Sequence, residues 1–377
     1  MGSTGVITDV EVERLRAKLG QRVEVSEPPY LTEANQDAIR RWAAATGDRN
    51  RLYTDPEYAA ASPYGGIIAP PCLPYAFSRL SIGYRGGLPG VHSMFGGSHW
   101  TWFRPLPIGS RAEAETRFTD LVELDGRFAG RMFKQISMTT FRTATDPEPF
   151  AQVQGWGMRT ERHTARKRNK YGGARLAHYT ADDIAAIAEE YAKEQLTGPQ
   201  PRYWDDVRVG DELPSIVRGP YTATIAVAFE QAWGGLFVRA HGAWFDYLRD
   251  HPAIGIPNAY GVPEPPEAVH WDSQLARSAG VPEAYDYGPE RISWLATLVT
   301  NWIGDHGFLE ELYVEIRGFN LIGDLSRGRG EVQEVLPVGS DGHGRVRLTV
   351  RIVNQRGDVT AKGWALVRLP LRGGGAS

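Results

Sequence analysis

The second half of the chain holds residues whose types and spacing suit acid–base chemistry. His270 and Asp272 form a His-x-Asp pair, and Asp286, Tyr287 and Arg291 follow further along. A histidine beside a carboxylate can take up and deliver a proton near pH 7. The arginine either contacts a polar substrate together with Tyr287 or pairs with Asp286 in the interior, because a buried unpaired arginine is costly. These residues are the first candidates for a site.

A segment before His270 offers further carboxylates. The stretch His241–Asp250 is predicted to be a short helix, which would put Asp246 and Asp250 on one face at i, i+4 spacing. Asp246 is the stronger candidate, because aromatic neighbours such as Trp244 would desolvate its carboxylate and raise its pKa. Glu264 and Glu267 are nearer to the histidine in sequence, but they stand among prolines, which predict a stiff, solvent-facing run.

Four blocks of sequence recur in the same order in the two halves of the chain, which indicates an internal duplication. The matching ranges are 29–48 with 220–235, 52–71 with 269–288, 103–110 with 316–325, and 155–160 with 363–369. We therefore predict a first copy over 1–160, a linker over 161–202, a second copy over 203–370 and a disordered tail over 371–377.

Each copy has the same predicted order of elements: a helix before a glycine turn, a second helix, and then an antiparallel meander. The second helix begins after Pro71 in the first copy and at Gly288 in the second, and its apolar spacing is typical of a helix buried on one or more sides. The pattern is α+β, twice over. The repeat also explains Asp272, because Asp55 occupies its place in the first copy as an N-cap before Pro56.

Composition limits the function classes. The 377 residues carry 42 Lys+Arg against 45 Asp+Glu, so the chain lacks the basic field of a nucleic-acid binder. No run approaches a membrane span and the first residues have no apolar signal core, so we expect a cytoplasmic protein. The single cysteine, Cys72, excludes cysteine-rich metal sites, and we expect neither metal nor cofactor. Seven Lys/Arg from Arg159 to Arg175 form either a solvated linker or a phosphate-docking patch.

The stretch ATGDRNRLYTDPEYAAASPYGGIIAPP, 45–71, resembles the signature of the MaoC-type hydratase/dehydratase family, and 269–288 resembles its second part. The resemblance implies a double hot-dog fold, in which two long central helices are each wrapped by a curved antiparallel sheet. It also implies a reaction. An aspartate and a histidine five residues later hold a water for addition to, or removal from, an enoyl thioester, and a backbone N–H at the start of the central helix stabilises the oxyanion.

The first copy departs from this pattern at two of three positions. Asp48 matches the aspartate, but Tyr53 stands at the histidine position, and Pro71 at the helix opening has no N–H to donate. The resemblance therefore implies a degenerate first copy that shapes the acyl pocket, with Asp48 as a loop residue.

The second copy keeps the other two parts. His270 matches the histidine and Gly288 restores the donor N–H, but Gly235 stands at the aspartate position. An insert, 236–269, replaces the four residues that join these positions in the first copy. We predict that the insert covers the pocket and supplies the missing carboxylate from Asp246; the alternative is a surface excursion with solvated acids.

These assignments predict a cofactor-free lyase acting on an acyl thioester of coenzyme A or a carrier protein, with a bulky or cyclic acyl group. His270 and Asp246 would be catalytic, and Gly288, Tyr287 and Arg291 would bind the substrate. One alternative is a non-catalytic hot-dog pair that binds an acyl thioester, because a fold does not establish an activity. Another is thioester hydrolysis, or dehydration of a non-thioester metabolite, in the same pocket. We expect no nucleic-acid or membrane partner, and a homo-oligomer such as a homodimer remains open.

Overall fold

A computed structural model of the chain describes residues 5–25, 27–84, 86–88, 91–124, 131–161 and 176–373. Most of the basic run that ends at Arg175, and tail residues 374–377, lie outside these ranges. Eight α-helices are present in them: α1 Asp9–Arg16, α2 Gln36–Thr46, α3 Pro56–Ala60, α4 Ala181–Ala192, α5 Ala223–Trp233, α6 His241–Asp250, α7 Ser273–Ser278 and α8 Gly288–Ile303. No helix of the described ranges is long and apolar enough to cross a membrane.

The strands of both copies form one antiparallel sheet. They are β1 His92–Trp102, β2 Ala112–Leu124, β3 Met132–Thr143, β4 Asp146–Thr160, β5 Glu212–Arg218, β8 Phe308–Ile316, β9 Ser326–Leu336, β10 Gly344–Asn354 and β11 Val359–Leu369, while β6 Ile256–Pro257 and β7 Pro263–Glu264 pair separately. The order is β2-β3-β4-β1-β8-β11-β10-β9-β5. The copies join where β1 pairs with β8, from Gly97 opposite Glu315 to Thr101 opposite Glu311.

Helix α8 is the central helix of the second copy, and all its residues from Pro289 to Ile303 are buried. It begins at Gly288-Pro289, where the missing proline N–H costs no intrahelical bond, and it ends at Gly304, which has φ +66°. It contacts β8, β5, β1, β9, β10 and β11. A helix that is apolar on nearly all sides is stable only inside such a wrap. The α+β hot-dog prediction is confirmed.

The prediction of a long central helix in the first copy is wrong. Only a 3-10 turn, Leu73–Phe77, forms there. Pro74 lies within the turn, and after Ser78 the chain reaches Gly83, whose φ of +95° is incompatible with a helix. A Cβ on Gly83 would lie 2.9 Å from the carbonyl oxygen of Gly155, so close packing on β4 requires glycine. Proline and glycine therefore outweigh the apolar spacing of this segment.

A buried ion pair ties the two copies to the segment that joins them. The Arg218 guanidinium donates to the Glu194 carboxylate at 2.7 Å, to the Thr46 carbonyl at 2.9 Å and to the Gly47 carbonyl at 3.0 Å. The two charged side chains are 5% and 2% exposed. Arg218 thus satisfies carbonyls at the end of α2, which an α-helix leaves without internal partners.

We expect Arg218→Leu to lower the free energy of unfolding by about 3–5 kcal/mol, because Glu194 would be left buried without its counter-charge. Urea unfolding at neutral pH measures the change. The matched control is Arg249→Leu, whose ion pair with Asp246 is 70% and 68% exposed. That control should change stability by less than about 1 kcal/mol, and equal losses in the two variants would contradict the assignment.

Candidate active site

A pocket with an empty volume of about 820 Å³ lies between the two copies. This volume includes the space at its mouth that is open to solvent. The apolar walls come from three parts of the chain: Ile82, Met94 and Phe95 of the first copy, Leu236 and Phe237 at the start of the insert, and Trp233, Ile316 and Phe319 of the second copy. Most of the polar side chains come from residues 267–291, where the insert returns to the second copy, and Ser93 of β1 adds one from the first copy.

His270 is one of these polar groups, and its orientation is set by its neighbours. It ends the 3-10 turn Pro266–His270, and its Nδ1 lies 2.8 Å from the carbonyl oxygen of Tyr285. Because a carbonyl only accepts, Nδ1 carries the hydrogen and Nε2 is the basic nitrogen. The imidazole stacks on the Tyr287 ring with centroids 3.8 Å apart. His270 therefore has the tautomer and the fixed plane that a general base needs.

Glu267 lies on the same 3-10 turn, three residues before His270. Residues i and i+3 of a 3-10 helix lie on the same face, and both side chains line the pocket. Glu267 is 6% exposed, and its Oε1 accepts hydrogen bonds from the N–H groups of Leu236 at 2.9 Å and Phe237 at 3.0 Å. The expectation that Glu267 faces solvent is wrong, because the start of the insert folds over it.

The structure does not bring Asp246 to His270. Asp246 lies on α6 outside the pocket, 68% exposed, and it accepts a hydrogen bond from Arg249 at 3.0 Å. Trp244 is the buried residue of this helix and donates its indole N–H to the Pro263 carbonyl at 2.7 Å. Two residues correspond to about half a helical turn, so the face that carries Asp246 is turned to solvent and the neighbouring indole does not desolvate the carboxylate.

Glu230, in the last turn of α5, is a further residue at this site that the sequence did not predict. This side chain is 9% exposed, and burial together with the nearby Glu267 carboxylate raises its pKa to about 8. The Tyr287 hydroxyl interacts with the same carboxyl group, and burial raises the pKa of Tyr287 well above its usual value. The sequence gives only one indication that Glu230 is buried, namely its position on the apolar face of α5.

Helix α8 begins at the pocket. Gly288 is its first residue and lines the pocket, and the Phe95 ring of β1 packs so closely on it that a Cβ at position 288 would overlap the ring. No described group accepts a hydrogen bond from the Gly288 N–H. The first N–H groups of a helix have no internal partner and lie at its positive end, so this one can stabilise a developing anion.

Arg291 and Asp286 form a buried pair behind the helix start. The guanidinium makes two hydrogen bonds to the Asp286 carboxylate, and it also donates to the Gly318 carbonyl at 2.7 Å and the Thr360 carbonyl at 2.8 Å. These four bonds engage all but one of its five N–H groups. Arg291 lines the pocket, but most of its hydrogen-bonding capacity holds α8 against the loop and strand beside it.

The matching region of the first copy has no histidine. Asp48 is buried, its Oδ1 accepts from the Asn50 N–H at 3.0 Å, and its Oδ2 accepts from the Thr297 hydroxyl of α8 at 2.9 Å. Tyr53 is 2% exposed. Both aspartate oxygens thus have partners, and the bond from Thr297 joins the first copy's loop to the second copy's helix. Along the described ranges, no group of three or more His, Cys, Asp or Glu residues is arranged to hold a metal ion.

A family model described as "FAS1-like, dehydratase domain region" matches residues 25–152. The 3-hydroxyacyl-thioester dehydratase Z of Mycobacterium tuberculosis is 30% identical over 125 residues, which are 30% of this chain and 74% of that protein. The chain belongs to the MaoC-like dehydratase family. Dehydration or hydration of acyl thioesters is the activity of this family.

Two solved structures match the MaoC-like chain over nearly its full length. A MaoC-like dehydratase superposes with a TM-score of 0.63 at 18% identity, covering 95% of this chain and 99% of that one. RV0216 of Mycobacterium tuberculosis, described as a double hotdog fold, superposes with a TM-score of 0.55 at 13% identity, covering 93% of this chain and 96% of that one. At these identities the likeness shows the fold alone, and it shows it for both copies.

Loss of charge at the buried Asp286 should lower the free energy of unfolding more than loss of charge at Asp272, which caps α7. Asp286→Asn should lower the free energy of unfolding by about 3–5 kcal/mol, because Arg291 would keep a buried charge without its partner. Asp272 is exposed enough to serve as the control, and it caps α7 by accepting from Gln274 N at 2.8 Å and Leu275 N at 3.1 Å. Asp272→Asn keeps a good cap and should change stability by only a few tenths of a kcal/mol. Chemical denaturation measures both, and a small effect at Asp286 would refute the pairing.

Proposed function

We propose that the protein adds water to, or removes water from, the α,β double bond of an acyl thioester in the pocket of the second copy. The observation that carries the proposal is the arrangement of His270, Glu267 and the Gly288 N–H around one pocket. A basic imidazole nitrogen, a carboxylate and an unpartnered helix N–H are the three parts that this reaction needs. Family membership supports the reaction class, and the site residues are our assignment.

In the hydration direction, His270 Nε2 and the Glu267 carboxylate hold a water molecule. As the water oxygen bonds to Cβ, Nε2 accepts one of its protons, and electron density moves from the double bond to the thioester oxygen. The Gly288 N–H donates to that oxygen at the positive end of α8. The proton held by His270 then goes to Cα, so both hydrogens and the oxygen of the water end in the 3-hydroxyacyl product. Dehydration is the same path reversed.

The acyl group is proposed to be bulky or cyclic. The apolar walls of the pocket come from both copies and from the insert, whereas a straight short chain would need only a narrow groove. Leu236 and Phe237 at one end of the insert, and Val269 at the other, line it, so the insert closes part of the mouth. The thioester carrier is coenzyme A or a carrier protein. The reaction proceeds with acid, base and oxyanion donor alone.

We expect His270→Ala and Glu267→Gln each to lower kcat/KM by about 10²–10⁴, the range of a general acid–base contribution. Asp246→Asn and Tyr53→Phe are the matched controls, from the exposed helix and from the first copy, and should keep most of the activity. The assay follows enoyl-thioester absorbance with straight-chain and ring-containing acyl-CoA substrates. Retained turnover in His270→Ala would leave the protein a binder, and an inactive Asp246→Asn with an active Glu267→Gln would restore the carboxylate predicted from the sequence.

The oxyanion donor can be tested without changing a side-chain donor. In a Phe95→Ala background, which makes room for a Cβ, Gly288→Ala keeps the N–H whereas Gly288→Pro removes it. Proline suits the first position of a helix, and Tyr287 before it already has φ −81° and ψ 139°. We expect the proline variant to have a kcat about 10²–10³ lower than the alanine variant, as for loss of one oxyanion donor. Equal kcat values would exclude Gly288 from this role.

A further inference from the structure

The two copies carry their buried carboxyl group at different positions of the same helix end. Helix α2 ends at Gly47 and α5 ends at Gly234, and both glycines have positive φ, +68° and +84°. Counting from these caps, the first copy has Ala43 four residues before the cap and Asp48 just after it. At the same two places the second copy has Glu230 and Gly235. The first copy thus has alanine and aspartate at the two places where the second copy has glutamate and glycine.

Geometry explains why the exchange is reciprocal. A Cβ placed on Gly235 would overlap Glu230 Oε1, and its next neighbour would be the carboxyl carbon of the same side chain. The Glu230 carboxyl group therefore fills the space that a side chain at position 235 would occupy. Gly235 also has φ +60°, a conformation that glycine adopts without strain. Gly235 lacks the carboxyl group of the motif aspartate, but Glu230, five residues earlier, places a carboxyl group in that space.

We propose that Glu230 replaces the motif aspartate as a positioning residue, holding the single proton of a Glu230–Glu267 pair and so keeping Glu267 and Tyr287 in place beside His270. The inference rests on the proposed function, because it assigns Glu267 and His270 to the reaction. Glu230 does not line the pocket. It acts through Glu267, whose carboxylate is nearby, and through Tyr287, which carries the stacked imidazole.

The proton belongs on Glu230 for reasons that are visible in the structure. Glu267 Oε1 accepts two backbone N–H groups, which stabilise its ionised form. The Glu230 carboxyl group accepts no hydrogen bond from a backbone N–H of the described residues. It also lies at the negative end of α5, where an anion is disfavoured. Two neighbouring buried carboxyl groups resist double ionisation. The pair thus carries one charge, on Glu267.

The other titratable groups around the pair do not alter this assignment. His270 shares the 3-10 turn with Glu267, and Tyr287 and Glu290 stand at the start of α8. Burial raises the pKa of Tyr287 and of Glu290 well above their usual values, which favours the neutral form of each. From the first copy, α2 presents Trp42 and the 3-10 turn Leu73–Phe77 presents Tyr75, neither of which carries a charge near pH 7. Arg79, just after that turn, donates to the Leu236 carbonyl, and its positive charge favours the ionised form of the nearby Glu267.

The consequence for pH has a definite sign. The pKa of Glu230 is about 8 in the folded protein and 4.5 for an unperturbed glutamate. Between these two values the folded state holds a proton that the unfolded state has released, so stability falls as pH rises from about 4.5 to 8 and then levels off. Above pH 8 the pair gains a second negative charge next to Tyr287 and His270.

The first test compares Glu230→Gln with the unaltered chain across pH 4 to 9.5. The variant stays neutral at position 230. The ratio of its folding equilibrium constant to that of the unaltered chain should therefore rise through this window, by up to about three-thousand-fold for a difference of 3.5 pKa units. The alkaline limb of kcat/KM should also move to higher pH in the variant. The matched control is Asp246→Asn, whose side chain is 68% exposed and lies outside the pocket, and which should not reproduce this rise. If the stability difference between Glu230→Gln and the unaltered chain does not depend on pH, the proposal is overturned.

The second test is a double-mutant cycle on positions 230 and 235. Gly235→Asp alone should overlap Glu230 and lower both thermal stability and turnover. Glu230→Ala with Gly235→Asp copies the arrangement of the first copy, and it should recover at least a tenth of the original kcat/KM. Additive losses would overturn the proposal. The thermal measurements need no substrate, so a lack of turnover in every variant, which would refute the proposed function, leaves the stability coupling of 230 and 235 measurable.

Discussion

The pairing of β1 with β8 determines where everything else in the molecule lies. Its backbone hydrogen bonds join two sheets that would otherwise each have an exposed edge, and an exposed edge is a site for unwanted pairing. Once joined, the sheet forms a single wrap around α8, and β1 of the first copy crosses the start of that helix. Phe95 consequently lies on Gly288, and the pocket acquires walls from both copies. The site proposed in the second copy therefore depends on a strand of the first.

Sequence reasoning found the parts that depend on local pattern. The duplicated blocks predicted two copies of an α+β unit, and the same alignment singled out His270, Gly288 and the departures at Tyr53 and Pro71. These inferences need only position within a motif, which survives divergence. The capping role of Asp272 followed in the same way, from Asp55 at its place in the first copy.

Three features escaped because they depend on distant parts of the chain. Glu267 stands among prolines, and its burial comes from N–H groups some thirty residues earlier that fold back over it. Glu230 lies five residues before Gly235, which is the position that aligns with the motif aspartate. A position-by-position comparison therefore shows a missing carboxyl group, although the Glu230 carboxyl group fills the space of a side chain at position 235. The 3-10 turn at Leu73–Phe77 has the apolar spacing of a helix, but the glycine that packs on β4 and the prolines decide its conformation. The periodicity of apolar residues indicates which side chains can be buried, but it does not indicate how closely two backbone segments approach each other.

The close packing of Phe95 on Gly288 has a consequence for how such a chain can diverge. Under the proposed function the first copy is released from selection on its own motif, and Tyr53 and Pro71 are the positions at which it departs from that motif. Its β1 strand is not released, because any residue that replaces Phe95 changes the surface against which the thioester end of a substrate must rest. The two copies therefore cannot drift independently. Under the proposed function a change of acyl group therefore involves residues of both copies, which a fused gene inherits together.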